Sequence, residues 1–124
     1  MIKPGWRRGL LVIYWAAVLV VFYLAVAPIH EVGPPGSDKF EHFAAFLALA
    51  LGADLLYART PIWLSAALVI AYGGAIELIQ GLPFVHRDCS LYDWLADIGG
   101  VVASMILLSL SGLRARARID KPKA

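Results

Sequence analysis

Apolar residues fall along this chain in four long runs separated by short polar clusters. Leu10 to Ala27 holds no charged residue, and Pro28 ends the run. Further runs cover about 39–57, 61–82 and 91–113. Each approaches the ~20 residues that a helix needs to cross a hydrocarbon core of ~30 Å. The links at 58–60 and 83–90 are short, and short links make successive helices antiparallel neighbours. The pattern predicts an all-α polytopic membrane protein, an antiparallel bundle of four transmembrane helices forming a single domain over residues 1–124. A basic start before an apolar run also outlines a signal peptide. This run is long for that, and no small-residue cleavage site precedes Pro28, so a retained span is expected.

Local residues sharpen the boundaries. Asp38 with Glu41, and Ser90 with Asp93, have the spacing of capping boxes. Thr60-Pro61 reads as an N-cap followed by proline at the first helical position. Gly73-Gly74, and Gly99-Gly100 with Ala103 and Ser104, are expected to let helices approach closely.

Composition supports the membrane reading. The chain is 60% hydrophobic and 16% charged, more apolar than a 124-residue soluble core can hide. The same numbers exclude intrinsic disorder. One cysteine excludes an internal disulfide framework and a cysteine-based zinc site. A formal charge of +2 is too small to indicate nucleic acid as a partner.

The distribution of charge says more than its sum. Lys3, Arg7, Arg8, Arg59, Arg114, Arg116, Arg118, Lys121 and Lys123 fall on one side of the predicted spans, against Lys39 and Arg87 on the other. The positive-inside rule then puts both termini in the cytoplasm and the loops 28–38 and 83–90 outside, in the cell (inner, cytoplasmic) membrane. The basic tail 114–124 reads as a topology signal with ordinary attraction to anionic lipid. Trp6, Tyr57 and Trp63 then lie near the inner interface, and Tyr92 and Trp94 near the outer one.

The remaining ionisable residues cluster. Asp54 is expected to pair locally with Arg59. The rest open the second span (Asp38, Lys39, Glu41, His42), close the third (Glu77, Gln80) or open the fourth (Arg87, Asp88, Asp93, Asp97). From Tyr57 back to His42 is 15 residues, from Ile62 to Glu77 is 15, and from Leu113 back to Asp97 is 16. At ~1.5 Å per residue, all three groups stand ~23 Å above the inner ends of their helices. A charge at that depth costs roughly 2–3 kcal/mol, so one shared polar pocket under the outer surface is expected. Lys39/His42, Asp38/His42, Glu77/Gln80 and Asp93/Asp97 are i, i+3 or i, i+4 pairs, each on one helix face. Structural roles are also open: capping for Glu41 and Asp93, a helix–helix hydrogen bond for Gln80, an ion pair for Glu77 with Arg87.

The segments Asp38-Lys39-Phe40-Glu41-His42, Gly73-Gly74-Ala75-Ile76-Glu77-Leu78-Ile79-Gln80 and Arg87-Asp88-Cys89-Ser90-Leu91-Tyr92-Asp93-Trp94-Leu95-Ala96-Asp97 resemble the VanZ-like family. That pattern reads D-K-x-x-H, G-x-x-x-E-x-x-Q and R-x-x-S-x-x-D, then Asn four residues on and a glycine. The match covers about 38–100. Asp97 departs from it, standing where the family usually has Asn, and adds a negative charge. The resemblance implies an integral membrane protein, linked in some members to resistance to the glycopeptide teicoplanin. Similarity of the family to enzymes that exchange or cleave lipid head groups has been proposed.

The residues fit such chemistry. Arg87 and Lys39 suit a phosphate, with Gln80 also in the substrate-binding set. His42 suits a general base or nucleophile held in one tautomer by Asp38, and Glu77 a general acid or base. Asp93 and Asp97 suit a divalent cation, Mg2+ or Ca2+. One reading is therefore a phosphotransferase or phosphodiesterase acting on the head group of a membrane lipid or a lipid-linked cell-wall precursor. A second is a non-catalytic protein that binds a lipid-linked intermediate, an antibiotic or a partner protein. A third, a transporter, is disfavoured because the inner halves of the spans are nearly free of polar groups apart from Asp54.

Overall fold

A computed structural model describes residues 3–27, 37–85 and 89–119. They form five helices: α1 (Pro4–Val26), α2 (Ser37–Leu56), α3 (Ile62–Gln80), α4 (Leu91–Ser111) and α5 (Leu113–Ile119). There is no strand among the described residues.

Three helices, α1, α3 and α4, are long and apolar enough to cross a membrane. The second predicted span does not meet that test. Its 20 residues include Asp38, Lys39, Glu41 and Asp54, which leave too short an uncharged stretch. Packing and position explain how α2 tolerates them. It touches α1, α3, α4 and α5, most extensively α4. Phe46, Leu49, Ala50 and Ala53 of α2 form the core with Val69, Ile76 and Val101. Asp54 is buried among these neighbours, whereas Lys39 and Glu41 lie exposed near the start of the helix.

Close approach is set by two glycines. A Cβ on Gly100 would lie 2.4 Å from the Phe43 carbonyl oxygen and 2.8 Å from the Leu47 nitrogen. Both are backbone atoms of α2, so any side chain at Gly100 forces α2 and α4 apart. A Cβ on Gly73 would lie 2.7 Å from Asp97 Oδ2 and 2.9 Å from the Phe46 ring. Gly73 thus leaves the space that the Asp97 carboxylate occupies.

α1 has no buried residue; it packs Val18, Val21 and Phe22 against the core and adds polar ties. Arg7 Nη2 donates to the Leu56 carbonyl at 3.0 Å, and Tyr14 Oη to the Leu49 carbonyl at 2.9 Å. Trp15 Nε1 donates to Tyr57 Oη at 2.9 Å. Tyr72 Oη donates to the Val18 carbonyl, and Gln80 Nε2 to the Ala25 carbonyl at 2.8 Å. In apolar surroundings such bonds replace the hydrophobic effect as the adhesive between helices.

Several boundaries differ from the sequence reading. α1 starts at Pro4, six residues before the uncharged run, because Arg7 and Arg8 are good helix formers. α2 starts at Ser37, so Asp38 lies inside the first turn and does not cap it. Pro61, not Thr60, is the N-cap of α3, with no side-chain capping bond. Ser90 does cap α4, accepting from Asp93 N at 3.4 Å. Gly112 ends α4 in the left-handed region at φ 67°, and the tail beyond it continues as α5. Arg114 of α5 donates through Nη2 to the Thr60 carbonyl. Asp54 is 2% exposed and shares a side-chain hydrogen bond with Ser65, with the Arg114 charge nearby.

Candidate functional site

The site is built where α2, α3 and α4 meet. Asp97 of α4 is fully buried, and its Oδ1 lies 2.8 Å from His42 Nδ1 on α2. A carboxylate can only accept, so this contact places a proton on Nδ1. His42 Nε2 faces Asp93 Oδ2 at 3.8 Å. Asp93 Oδ1 in turn lies 3.4 Å from Lys39 Nζ, which also reaches Asp38 Oδ2 at 3.3 Å.

Glu77 comes in from α3 and is 4% exposed. Its Oε2 accepts from the Ser90 backbone N–H at 3.0 Å, so Glu77 occupies the N-terminus of α4. Negative charge is favoured at that end of a helix. In a capping box this N–H would bond the residue three places on, here Asp93. Glu77 takes that role from another helix, while Asp93 turns toward His42 and Lys39. One ligand-capable atom from each of His42, Glu77 and Asp97 lies within 4.8 Å of the other two. The depth inferred from helical rise thus corresponds to actual proximity across three helices.

The predicted residues do not all keep their expected partners. Asp38 does not hold His42; it pairs with Lys39, and Asp97 holds the imidazole. A residue one turn away on the same helix is outcompeted here by one on a helix that Gly100 brings close. Lys39 lies at the rim, its side chain 46% exposed. Gln80 is buried, but its amide N–H is spent on the Ala25 carbonyl, so it tethers α1. Asp93 and Asp97 both face His42, on opposite ring nitrogens, and Asp93 also meets Lys39. Arg87 and Asp88 lie outside the described residues.

Some contacts had no clear signal in the sequence. Trp94, read as an interfacial aromatic, donates from Nε1 to the Ile70 carbonyl at 3.1 Å and fixes α3 against α4 near the site. Separately, an apolar groove of about 420 Å³ runs between α1, α2 and α3, lined among others by Tyr14, Val18, Leu49, Leu68 and Tyr72. It does not include the ionisable cluster.

No family model, curated protein or solved structure matches the chain.

Proposed function

We propose that the chain is a VanZ-like protein that crosses the cell membrane four times, with α1–α4 as antiparallel spans and both termini cytoplasmic. Its polar pocket then opens toward the extracytoplasmic leaflet and acts on the phosphate-linked head group of a membrane lipid or lipid-linked cell-wall precursor. The orientation is supported by the excess of basic residues beside the termini and at Arg59. The enclosure of α2 by its neighbours supports counting it as a span.

One observation carries the functional reading: a half-buried imidazole, bonded to a buried carboxylate, stands beside a second buried carboxylate and near an exposed lysine. Ion placement this deep is costly unless it is used. With Nδ1–H donated to Asp97, Nε2 is the nitrogen left to take a proton or attack phosphorus. Lys39 at the rim suits a phosphate oxygen, and Glu77 suits proton transfer to a leaving oxygen.

A second reading is favoured by the contact at 3.8 Å between Nε2 and Asp93. A protonated imidazole between two carboxylates would bind an anionic head group without turning it over. Turnover in nanodiscs separates the two. Labelled phospholipids and lipid-linked precursors are offered to the purified protein, His42→Ala and Glu77→Ala. Head-group release or exchange lost in both variants supports the enzyme. Saturable lipid binding without turnover, weakened in both variants, supports recognition. Neither turnover nor binding overturns the head-group proposal.

A further inference from the structure

Three features of the cluster are unexplained by a proton-transfer or anion-binding role. The first is charge. Among the described residues, Glu77, Asp93 and Asp97 surround one imidazole, with only the rim residue Lys39 offsetting them. Buried like charges this close repel strongly unless a cation lies among them. The second is hydrogen bonding. Glu77 Oε1 and Asp97 Oδ2 are buried and have no hydrogen-bond partner. Both belong to side chains more than nine-tenths buried, at 4% and 0% exposure. Buried carboxylate oxygens are normally satisfied, and leaving one unpaired is costly. The third is spacing. Ligand atoms of His42, Glu77 and Asp97 lie within 4.8 Å of one another. Metal–ligand bonds of ~2.0–2.2 Å put neighbouring tetrahedral ligands ~3.4 Å apart, so small side-chain shifts close the set.

We infer that His42, Glu77 and Asp97 form a binding site for a transition-metal dication, Zn2+ or Mn2+. A dication offsets the excess of negative charge and gives both orphaned oxygens a partner. The ligand set selects the metal. Mg2+ and Ca2+ prefer oxygen ligands alone, and Mg2+ keeps several of its waters. An imidazole nitrogen with two carboxylates suits Zn2+ or Mn2+ instead. This site differs from the Asp93–Asp97 oxygen site that the sequence suggested. Asp97 is its distinctive member, and Gly73 makes its room: any Cβ there would meet Asp97 Oδ2 at 2.7 Å. Three protein ligands leave a coordination position open, as metal sites that bind substrate do. The inference rests on the head-group reading, since a phosphate oxygen suits that position, but with metal bound His42 and Glu77 act as its ligands in place of base and acid. The test uses no lipid substrate.

The test is direct metal binding by the full-length, untagged protein in detergent. After chelator treatment the protein is loaded with ZnCl2 or MnCl2, desalted and measured for metal content. Co2+ serves as an absorbing probe of coordination. The expected result is one Zn2+ or Mn2+ per chain, retained against a large excess of Mg2+. Asp97→Asn and Glu77→Gln, both isosteric, each weaken binding by at least ~10-fold, the scale for disturbed metal ligation. Metal-free thermal unfolding of both variants shows a cooperative transition, so that lost metal binding is not lost fold. Cys89→Ser leaves binding intact and rules out the exposed thiol as ligand. No stoichiometric metal in the parent protein overturns the inference. So does binding that survives both carboxamide variants, or that Cys89→Ser abolishes. Lipid turnover is measured separately, so that metal binding without turnover would keep this site and reject the enzyme.

Discussion

Replacing Gly100 by alanine is the smallest change that separates α2 from α4. The added Cβ would stand 2.4 Å from the Phe43 carbonyl oxygen, where ordinary contact begins at 3.4 Å. The required displacement is the difference, 1.0 Å, and the obstacle is backbone, which cannot rotate away. Phe43 adjoins His42, and Asp97 lies one turn before Gly100 on α4. Most of the displacement is therefore passed to the His42–Asp97 bond, now 2.8 Å. Lengthened by even two-thirds of that displacement, the bond reaches the limit of hydrogen-bond geometry. Overpacking of this kind costs ~1–3 kcal/mol, and loss of a hydrogen bond to a charged group ~1.5–3 kcal/mol. Alanine's better helix propensity returns up to ~1 kcal/mol. A net destabilisation of about 2–4 kcal/mol is expected from these terms. Gly99→Ala is the control, because its Cβ would meet only the Phe43 ring, at 3.5 Å. Thermal unfolding of both variants in the same detergent reads the difference, with Gly100→Ala well below the parent and Gly99→Ala at or slightly above it. Equal unfolding temperatures for the two variants would refute the α2–α4 approach described here.

Other consequences can be read separately. Lys39→Ala should leave unfolding nearly unchanged and weaken binding of anionic-lipid nanodiscs several-fold, because Lys39 is half-exposed at the rim. Gln80→Leu removes the 2.8 Å bond to the Ala25 carbonyl. It should cost ~0.6–1 kcal/mol and raise hydrogen exchange at the end of α1, with metal binding unchanged. Cys89 is exposed between α3 and α4 and is the chain's one cysteine. A membrane-impermeant maleimide added to intact cells should label it; labelling only after the membrane is opened would reverse the proposed orientation.

Much of the site was legible because helical rise is regular. Counting residues from the ends of three apolar runs placed His42, Glu77 and Asp97 at one depth, and these three side chains do converge. What the count could not supply is rotation about each helix axis. Asp38 and Asp97 are equally plausible partners for His42 by sequence, and only the approach of α4 at Gly100 decides for Asp97. Gln80 lies one turn beyond Glu77 at i+3, yet its amide turns to α1 while Glu77 turns to the start of α4. The capping box at Ser90 was read correctly at its N-cap but not at its reciprocal partner. A carboxylate from α3 fills that place, and spacing within one segment carries no trace of it. The helix after Gly112 was read only as a basic tail, since alternating Arg and Ala show no apolar stripe. Hydropathy alone also describes α2 poorly: its charges mark the helix enclosed by the others, whereas α1, the most apolar span, has no buried residue.

Nitrogen-15 NMR of the histidine rings tests most directly that three helices hold His42 against the buried Asp97 in one polar cluster. The chain has three histidines, so His42 can be assigned by one substitution. In the metal-free protein, His42 is expected to carry a protonated, hydrogen-bonded Nδ1 whose resonance shifts in Asp97→Asn and not in Asp38→Asn. A His42 ring that behaves like a solvent-exposed histidine, or that responds to Asp38→Asn alone, would contradict it.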